Sequence, residues 1–290
     1  MKISLHHLTI AEASAEELVD IGARAGSDHL CTFVKTPSAL PIPLPTVGSV
    51  ARAAALRDRA ASAGLSFCTI DTFVIGDTEA GDHEEMLAIG QALGAGVVNC
   101  IYRQGDLDTA VRKMSQFAAM ADRYGLRLAY EWSRFSKIST LAGSVEFIRR
   151  CDMPNIGLNA DILHLVRNGE GPGDLAKVDP ALIAYAQLND GPLAIAEADM
   201  LSEAISDRGF PGEGEFPVED FVRRLPGDIV LAAEVPAVRL RPLLSAEGRA
   251  RRAVEATRRI VSLARPGPSR AANETMSAGG NPVSLGPGRR

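Results

Sequence analysis

Short apolar runs recur along the chain and alternate with segments whose apolar residues follow helical spacing. The runs predict buried strands, and the segments between them predict amphipathic helices. The predicted strands are 2–8, 29–34, 66–74, 97–102, 127–131, 156–161, 182–188 and 229–234. The predicted helices are 14–25, 48–63, 80–93, 106–124, 143–151, 173–178, 217–224 and 244–264. The pattern therefore predicts successive βα units along the whole chain.

Repeated βα units favour an α/β fold of the (β/α)8 TIM-barrel type, with an open doubly wound sheet as the alternative. Glycine follows several predicted helices, as in ARAGSDHL and DRYGLRL, where it fits the helix C-cap. The 290 residues, 46% of them hydrophobic, suffice for a large core. We expect one barrel domain over residues 1–264.

Two stretches depart from the βα pattern. Residues 265–290 are rich in Gly, Pro and Ser and poor in apolar side chains, which predicts a disordered C-terminal tail. Residues 35–47 read KTPSALPIPLPTV and are too proline-rich for a helix or a central strand. We expect this second stretch to form a lid or rim beside the mouth of the barrel.

Four polar residues end late strands: Glu131, Asp161, Gln187 and Glu234 close the runs RLAYE, IGLNAD, IAYAQ and IVLAAE. A single strand-end carboxylate often caps the next helix or faces solvent. Capping does not explain why successive strands end alike. Crowded carboxylates repel each other, and a divalent cation with oxygen ligands keeps them ionised. The series therefore predicts a metal site at the carboxyl ends of the strands.

Charge and cysteine content narrow the classes of partner and location. A net charge of −5 with scattered Lys and Arg argues against a nucleic-acid partner and favours a small polar substrate. The start MKISLHHLTI lacks the pattern of a signal peptide, and no apolar stretch is long enough to span a membrane. The four cysteines lack CxxC spacing, which indicates free thiols in a reducing cytoplasm.

The strand-end Glu131, the DxxH of Asp161 and His164, the PGEGEFP turn at 211–217 and the final Glu234 resemble the xylose-isomerase-like barrel superfamily. Its members include sugar-phosphate isomerases, keto-sugar epimerases and 3-dehydroshikimate dehydratases. The resemblance implies a metal held by Glu131, Asp161, Gln187 and Glu234, with Mn²⁺ or Mg²⁺ first and Co²⁺ or Zn²⁺ as alternatives. It also implies that His164 faces the substrate.

Gln187 distinguishes two branches of the resemblance. Keto-sugar epimerases usually have His at this position, whereas some 3-dehydroshikimate dehydratases have Gln. The substitution favours a metal-dependent lyase of the dehydratase type. An isomerase or epimerase acting on a keto-sugar or sugar phosphate is the alternative.

Both reactions pass through an enolate of a small polyhydroxylated carbonyl compound, which a metal stabilises. An epimerase would exchange protons between Glu131 and Glu234 on the two faces of one carbon. A dehydratase needs one base and one acid that assists loss of hydroxide. His164 supplies a proton carrier of near-neutral pKa close to the metal. We therefore expect Glu131, His164 and Glu234 to be catalytic.

Arg103 and Arg208 are candidates for binding an anionic or oxygen-rich part of the substrate, with Arg208 expected at its far end. Asp71 is a candidate contact at the rim, and only one of His6 and His7 can point into the barrel. An endonuclease is disfavoured by the few histidines and the negative charge. A non-catalytic sugar-binding barrel is disfavoured by the complete ligand series, and a homo-oligomer is left open.

Overall fold

The computed structural model describes residues 1–34, 46–75, 80–103 and 106–266, and within them eight parallel strands close into a barrel in chain order. The strands are β1 Lys2–His6, β2 His29–Phe33, β3 Ser66–Ile75, β4 Val97–Tyr102, β5 Arg127–Glu131, β6 Ile156–Asp161, β7 Ile183–Leu188 and β8 Val230–Ala233. β1 pairs with both β2 and β8, so closure leaves the sheet without an edge. The (β/α)8 prediction is confirmed, and the open sheet is excluded.

The described part of the chain contains ten α-helices. They are α1 Ala15–Ala25, α2 Val50–Ser62, α3 Ala80–Leu93, α4 Leu107–Asp122, α5 Leu141–Cys151, α6 Ile162–Arg167, α7 Pro172–Leu175, α8 Met200–Ser206, α9 Val218–Arg224 and α10 Ala246–Ala264. All but α6 and α8 coincide with predicted helices, with ends shifted by a few residues. Those two have 6 and 7 residues and lie where the sequence analysis places no helix.

Local side-chain chemistry sets where the elements begin and end. Ser14 and Glu17 form a capping box at the start of α1, and Gly26 ends it with a left-handed φ of 73° that suits glycine. The predicted first strand, 2–8, stops at His6, because a 3₁₀ turn over His7–Ile10 follows it. This turn brings the carboxyl end of β1 over the mouth of the barrel.

Small and aromatic side chains fill the barrel beneath its mouth. Ala129, Tyr185 and Ala232 form one buried cluster in the interior. Each stands two positions before a strand-end polar residue, so the twofold period of a strand directs both to the same face. The barrel is therefore packed below and polar at the carboxyl ends of β5, β7 and β8.

Parts of two predictions fall on residues outside the described ranges. Residues 35–45 of the expected lid and 267–290 of the expected tail are among them. The assignment of 1–264 to a single domain stays a prediction. Among the described helices, none has the length and apolar character needed to cross a bilayer.

Candidate active site

A cavity of about 390 Å³ opens at the carboxyl ends of the strands. Its charged floor consists of Asp71, Glu131, His164, Arg208 and Glu234. Its apolar wall consists of Leu8, Phe33, Ile101, Phe135, Leu201, Ala204 and Ile205. A larger depression of about 570 Å³ lies among the loops of 191–215 and contains none of the strand-end side chains. Chemistry rather than size therefore identifies the smaller cavity as the candidate site.

Glu131 and His164 face each other on the floor. Glu131 ends β5, and its Oε1 lies 3.3 Å from Nε2 of His164, which stands on the first turn of α6. The other oxygen, Oε2, accepts a 2.7 Å hydrogen bond from Nδ2 of Asn99 on β4. The two oxygens of Glu131 therefore have different partners: His164, which lines the cavity, and Asn99, which is buried in the interior of the barrel.

Arg208 joins two further acids of the predicted metal set. Its Nη1 donates to Oδ2 of Asp161 and to Oε2 of Glu234, at 2.8 Å in each case. Its Nε and Nη2 both donate to the carbonyl of Ala204 on α8, which fixes the plane of the guanidinium. Arg208 is 3% exposed. The sequence analysis expects Arg208 at the far end of the substrate. The structure places its guanidinium between two acids at the base of the cavity.

Asp161 and Gln187 are neighbours in the barrel, paired in register between β6 and β7. Oδ1 of Asp161 accepts hydrogen bonds from the backbone N–H of Leu163 and from Nδ2 of Asn189. Oε1 of Gln187 accepts a 2.6 Å bond from Nδ2 of Asn159. A carbonyl oxygen has two lone pairs, so this bond leaves one for another partner.

The sequence analysis missed Asn99 and Asn159, which lie in a buried polar layer beneath the floor. Asp71, named there as a candidate contact at the rim, lines the cavity and pairs with His6. Nε2 of His6 lies 2.8 Å from Oδ2 of Asp71, and Nδ1 of His6 lies 3.4 Å from Oε1 of Glu234. Asn159 could have been found, because it precedes Asp161 by two positions and shares its face. His6 was named only as one of two histidines that could point into the barrel, since nothing in the sequence shows which acids surround it.

The pair His6–Asp71 and Cys31 bring nitrogen, oxygen and sulfur close together. Nδ1 of His6 accepts a hydrogen bond from the backbone N–H of Leu8, which leaves the ring proton on Nε2. That proton points to Asp71, so the hydrogen bond between the two accounts for their approach. His7 is a separate core residue, bonded to Thr32 and to the carbonyl of Ala13.

The electrostatics of the floor favour positive charge. Burial raises the pKa of Glu234 to about 7, the charges of Asp161 and Glu131 add to this, and Arg208 and His6 oppose it. Burial also acts to raise the pKa of Asp161, but Arg208 and His164 outweigh it and the pKa is lowered. For His164, burial lowers the pKa, yet the hydrogen bond to Glu131 and the charge of Asp161 raise it overall.

The residues present fit a divalent cation. Ligand atoms of Glu131, Asp161 and His164 all lie within 4.8 Å of one another. Asp161 and Glu234 already converge on one positively charged nitrogen of Arg208, which shows that their oxygens point to a common place for positive charge. Carboxylate and amide oxygens are ligands of hard divalent ions. The role of Gln187 and of each acid as a ligand stays a prediction.

Arg103, the remaining sequence candidate, follows β4 and lines the cavity. Among the described residues it makes neither a hydrogen bond nor an ion pair.

Asp190, which follows β7, accepts hydrogen bonds from the backbone N–H groups of Gly191, Gly212 and Phe216. Asp190 therefore shapes the PGEGEFP turn and not the cavity.

Residues 23–260 match the protein family described as xylose isomerase-like TIM barrel. A 3-dehydroshikimate dehydratase of Pseudomonas aeruginosa is 31% identical over 112 residues, which are 38% of this chain. The matched stretch spans only 17% of that longer relative.

Two solved structures illustrate the similarity of fold. The IolI protein with a bound zinc atom superposes with a TM-score of 0.74 at 16% identity, covering 92% of this chain and 100% of that one. An L-ribulose 3-epimerase gives a TM-score of 0.68 at 18% identity, covering 97% of this chain and 99% of that one. At these identities the structures share the barrel.

Proposed function

The chain belongs to the xylose isomerase-like TIM-barrel family, and on that premise we propose that it is a metal-dependent dehydratase acting on 3-dehydroshikimate or a closely similar ring. Known members of this family process sugars and related carbonyl compounds, which supports an enzyme with a small-molecule substrate. The proposal is that one carbon–hydrogen and one carbon–oxygen bond break on adjacent carbons, with water as the second product.

The division of the cavity into a charged floor and an apolar wall carries this proposal. Six of the wall residues have large apolar side chains, and two of these, Phe135 and Leu201, are 40% and 49% exposed overall. An open-chain polyol would place hydroxyl groups against this wall, where they lose hydrogen bonds to water without replacement. A compact ring puts its carbon skeleton on the wall and its oxygens on the floor.

Arg103 gives the ring a second anchor. Its guanidinium is the one positive group lining the cavity besides Arg208 and His164 among the described residues. Guanidinium groups bind carboxylates through two parallel hydrogen bonds. We assign Arg103 to the carboxylate of the ring and Arg208 to the substrate oxygen nearest the acids.

The metal ligands and His164 have assigned parts in the proposed reaction. A divalent ion held by Glu131, Asp161, Gln187 and Glu234 would polarise the carbonyl and lower the cost of the enolate. Glu131 takes the proton next to the carbonyl, and His164 gives a proton to the departing hydroxyl, which leaves as water. The 3.3 Å contact between Oε1 and Nε2 then returns the proton from Glu131 to His164. The ring becomes aromatic by tautomerisation.

A keto-sugar isomerase or epimerase is the second candidate. Glu131 on β5 and Glu234 after β8 both line the cavity, which is the arrangement for exchanging protons on two faces of one carbon. In that reaction His164 binds a substrate oxygen, and the hydroxyl stays on the carbon. Mn²⁺ or Mg²⁺ is the proposed ion in either reaction, and the cytoplasmic location and an oligomer stay predictions.

The test is turnover of 3-dehydroshikimate by Mn²⁺-loaded protein, followed by the ultraviolet absorbance of the aromatic product. Chelated protein and Glu131→Ala are the controls, and both are expected to be inactive. Metal-dependent formation of the product supports the dehydratase. Metal retention without any product overturns it and directs the assay to a panel of keto-sugars.

A further inference from the structure

A chain of buried contacts connects the two opposing acids of the site behind the cavity. It runs from Oε2 of Glu131 to Nδ2 of Asn99 and on to Oδ1 of Asp71, over 2.7 and 2.9 Å. From Oδ2 of Asp71 it continues to His6 at 2.8 Å and from His6 to Glu234 at 3.4 Å. Asn99 is 1% exposed and does not line the cavity. These buried contacts therefore support the floor of the cavity from the interior of the barrel.

Neither hydrogen of the Asn99 side-chain amide is free in this position. Its NH₂ group has two hydrogens, and it donates to one carboxylate on each side, Asp71 and Glu131. Its Oδ1 accepts from Nδ2 of Asn159, which also holds Gln187. Turning the amide over would place its oxygen against two carboxylates, so the network permits only one orientation.

We propose that Asn99 is a positioning residue for Glu131. Asn99 holds Oε2 of Glu131 in the buried interior by a hydrogen bond. Oε1 is then the oxygen of Glu131 that faces His164 and the cavity. The inference rests on the proposed function, because it specifies which atom of Glu131 takes the substrate proton. Through Asp71 the same amide is also connected to His6, which lies 3.4 Å from Glu234.

Packing alone does not explain an asparagine at this position. Elsewhere in the interior, alanine and tyrosine fill the barrel at Ala129, Ala232 and Tyr185. A buried amide loses its bonds to water and recovers them only when every donor and acceptor is satisfied. Asn99 meets that condition only by engaging two acids of the floor, so its contribution lies in orienting them.

The experiment compares Asn99→Ala with Asn155→Ala. Asn155 is a matched control, because its Nδ2 also donates two hydrogen bonds, to the carbonyls of Ala118 and Leu126, away from the cavity. Mn²⁺ affinity of metal-free protein is measured by calorimetric titration, and thermal unfolding is measured beside it. Changing a residue that orients a ligand typically lowers affinity about 10- to 100-fold. We expect that loss for Asn99→Ala and less than about threefold for Asn155→Ala.

A second readout separates positioning from general stability. With a turned-over substrate, Asn99→Ala should lower kcat by about 10- to 100-fold and change KM by less than about threefold, because Asn99 does not touch the cavity. Unchanged Mn²⁺ affinity and kcat in a folded Asn99→Ala protein would overturn the inference. If Asn99→Ala does not fold, Asn99→Ser, which keeps one donor for two acceptors, is measured against the same criteria.

The metal titration also keeps this inference distinct from the proposed function. If wild-type protein binds Mn²⁺ but turns over neither 3-dehydroshikimate nor keto-sugars, the proposed function fails. A lowered affinity in Asn99→Ala still supports the positioning of Glu131 in that case, and an unchanged affinity contradicts it.

Discussion

The two halves of the barrel mouth use the same strand geometry for different purposes. Strands β5–β8 end in the acids and the amide that surround Arg208. Strands β1–β4 carry His6, Asp71 and Asn99, whose polar atoms bond to one another, and they present Leu8, Phe33 and Ile101 to the cavity. The first half therefore places three acids at the site, whereas the second contributes apolar side chains, and its acid at the cavity, Asp71, is already paired with His6 and Asn99.

The difference shows that charge placement and substrate shape are separable in this barrel. The acids of β5–β8 determine what chemistry is available, since they fix where a cation and a proton carrier lie. The apolar wall, to which β1–β4 contribute Phe33 and Ile101 and the segments after β5 and β7 contribute Phe135 and Leu201, determines what fits above them. Variants of the acids and of the wall should consequently change different quantities.

The largest expected effect comes from the acidic half. Glu131→Gln keeps the shape of the side chain but removes both its charge and its capacity to take a proton. We expect kcat for the proposed dehydration to fall by about 10²- to 10⁴-fold, with loss of bound metal. Product absorbance and elemental analysis of the purified protein measure the two effects.

Glu170→Gln is the matched control, because Glu170 is a half-buried acid outside the cavity that bonds Trp132 and the backbone of Leu141. Its kcat should stay within about twofold of wild type. Equal activity in Glu131→Gln and wild type would contradict the assignment of the chemistry to the acids of β5–β8.

The second effect is the pH dependence of metal-free protein. Native Glu234 holds its proton to about pH 7, whereas the carboxyl of the unfolded chain loses it near 4.5. The native state therefore binds more protons over that range. From Glu234 alone, the free energy of unfolding should fall by about 3 kcal/mol as pH rises from about 4.5 to about 7.

Urea unfolding with a chelator at about pH 5 and about pH 7.5 measures this change, with Glu234→Gln as the reference. The variant cannot ionise and should lose this part of the pH dependence. Identical pH dependence in both proteins would show that ionisation of Glu234 does not cause the fall in the free energy of unfolding.

The smallest effect comes from the apolar wall. Phe135→Ala removes an aromatic face that is 40% exposed, so the free energy of unfolding should change by less than about 0.5 kcal/mol. Loss of contact with the ring of the substrate should raise KM about fivefold, equivalent to about 1 kcal/mol, with kcat within about twofold. Leu243→Ala, at a residue 77% exposed and outside the cavity, is the control. A fivefold fall in kcat with constant KM would place Phe135 in the chemistry and contradict its assignment to the wall.

Much of the fold was predictable, because each βα unit has a local pattern. Strand runs, helical spacing and glycine at helix ends predicted the order of elements, and Gly26 and Gly125 indeed end helices with positive φ. Helices α6 and α8 were missed, although α9 is as short as α8 and was predicted. Their importance is positional, since α6 carries His164 and α8 carries the carbonyl that orients Arg208.

The site was predictable only as far as chain position reveals it. Glu131, Asp161 and Glu234 could be grouped because strand ends of a parallel barrel meet at one face. The position of Arg208 between two of them depends on where a loop folds back, which no local pattern encodes. Asn99 lies in the middle of VVNCIY and reads as a polar interruption of a strand. The role of Asn99 depends on the two acids that β3 and β5 place beside it, Asp71 and Glu131.

The guanidinium of Arg208 has a consequence for how the protein is assembled in the cell. Small domains held together by structural zinc stay unfolded until the ion arrives. Here a covalently attached cation already lies between Asp161 and Glu234, so the chain carries its own counter-charge during biosynthesis. Closure of the barrel around these two acids therefore does not require a divalent ion as their counter-charge.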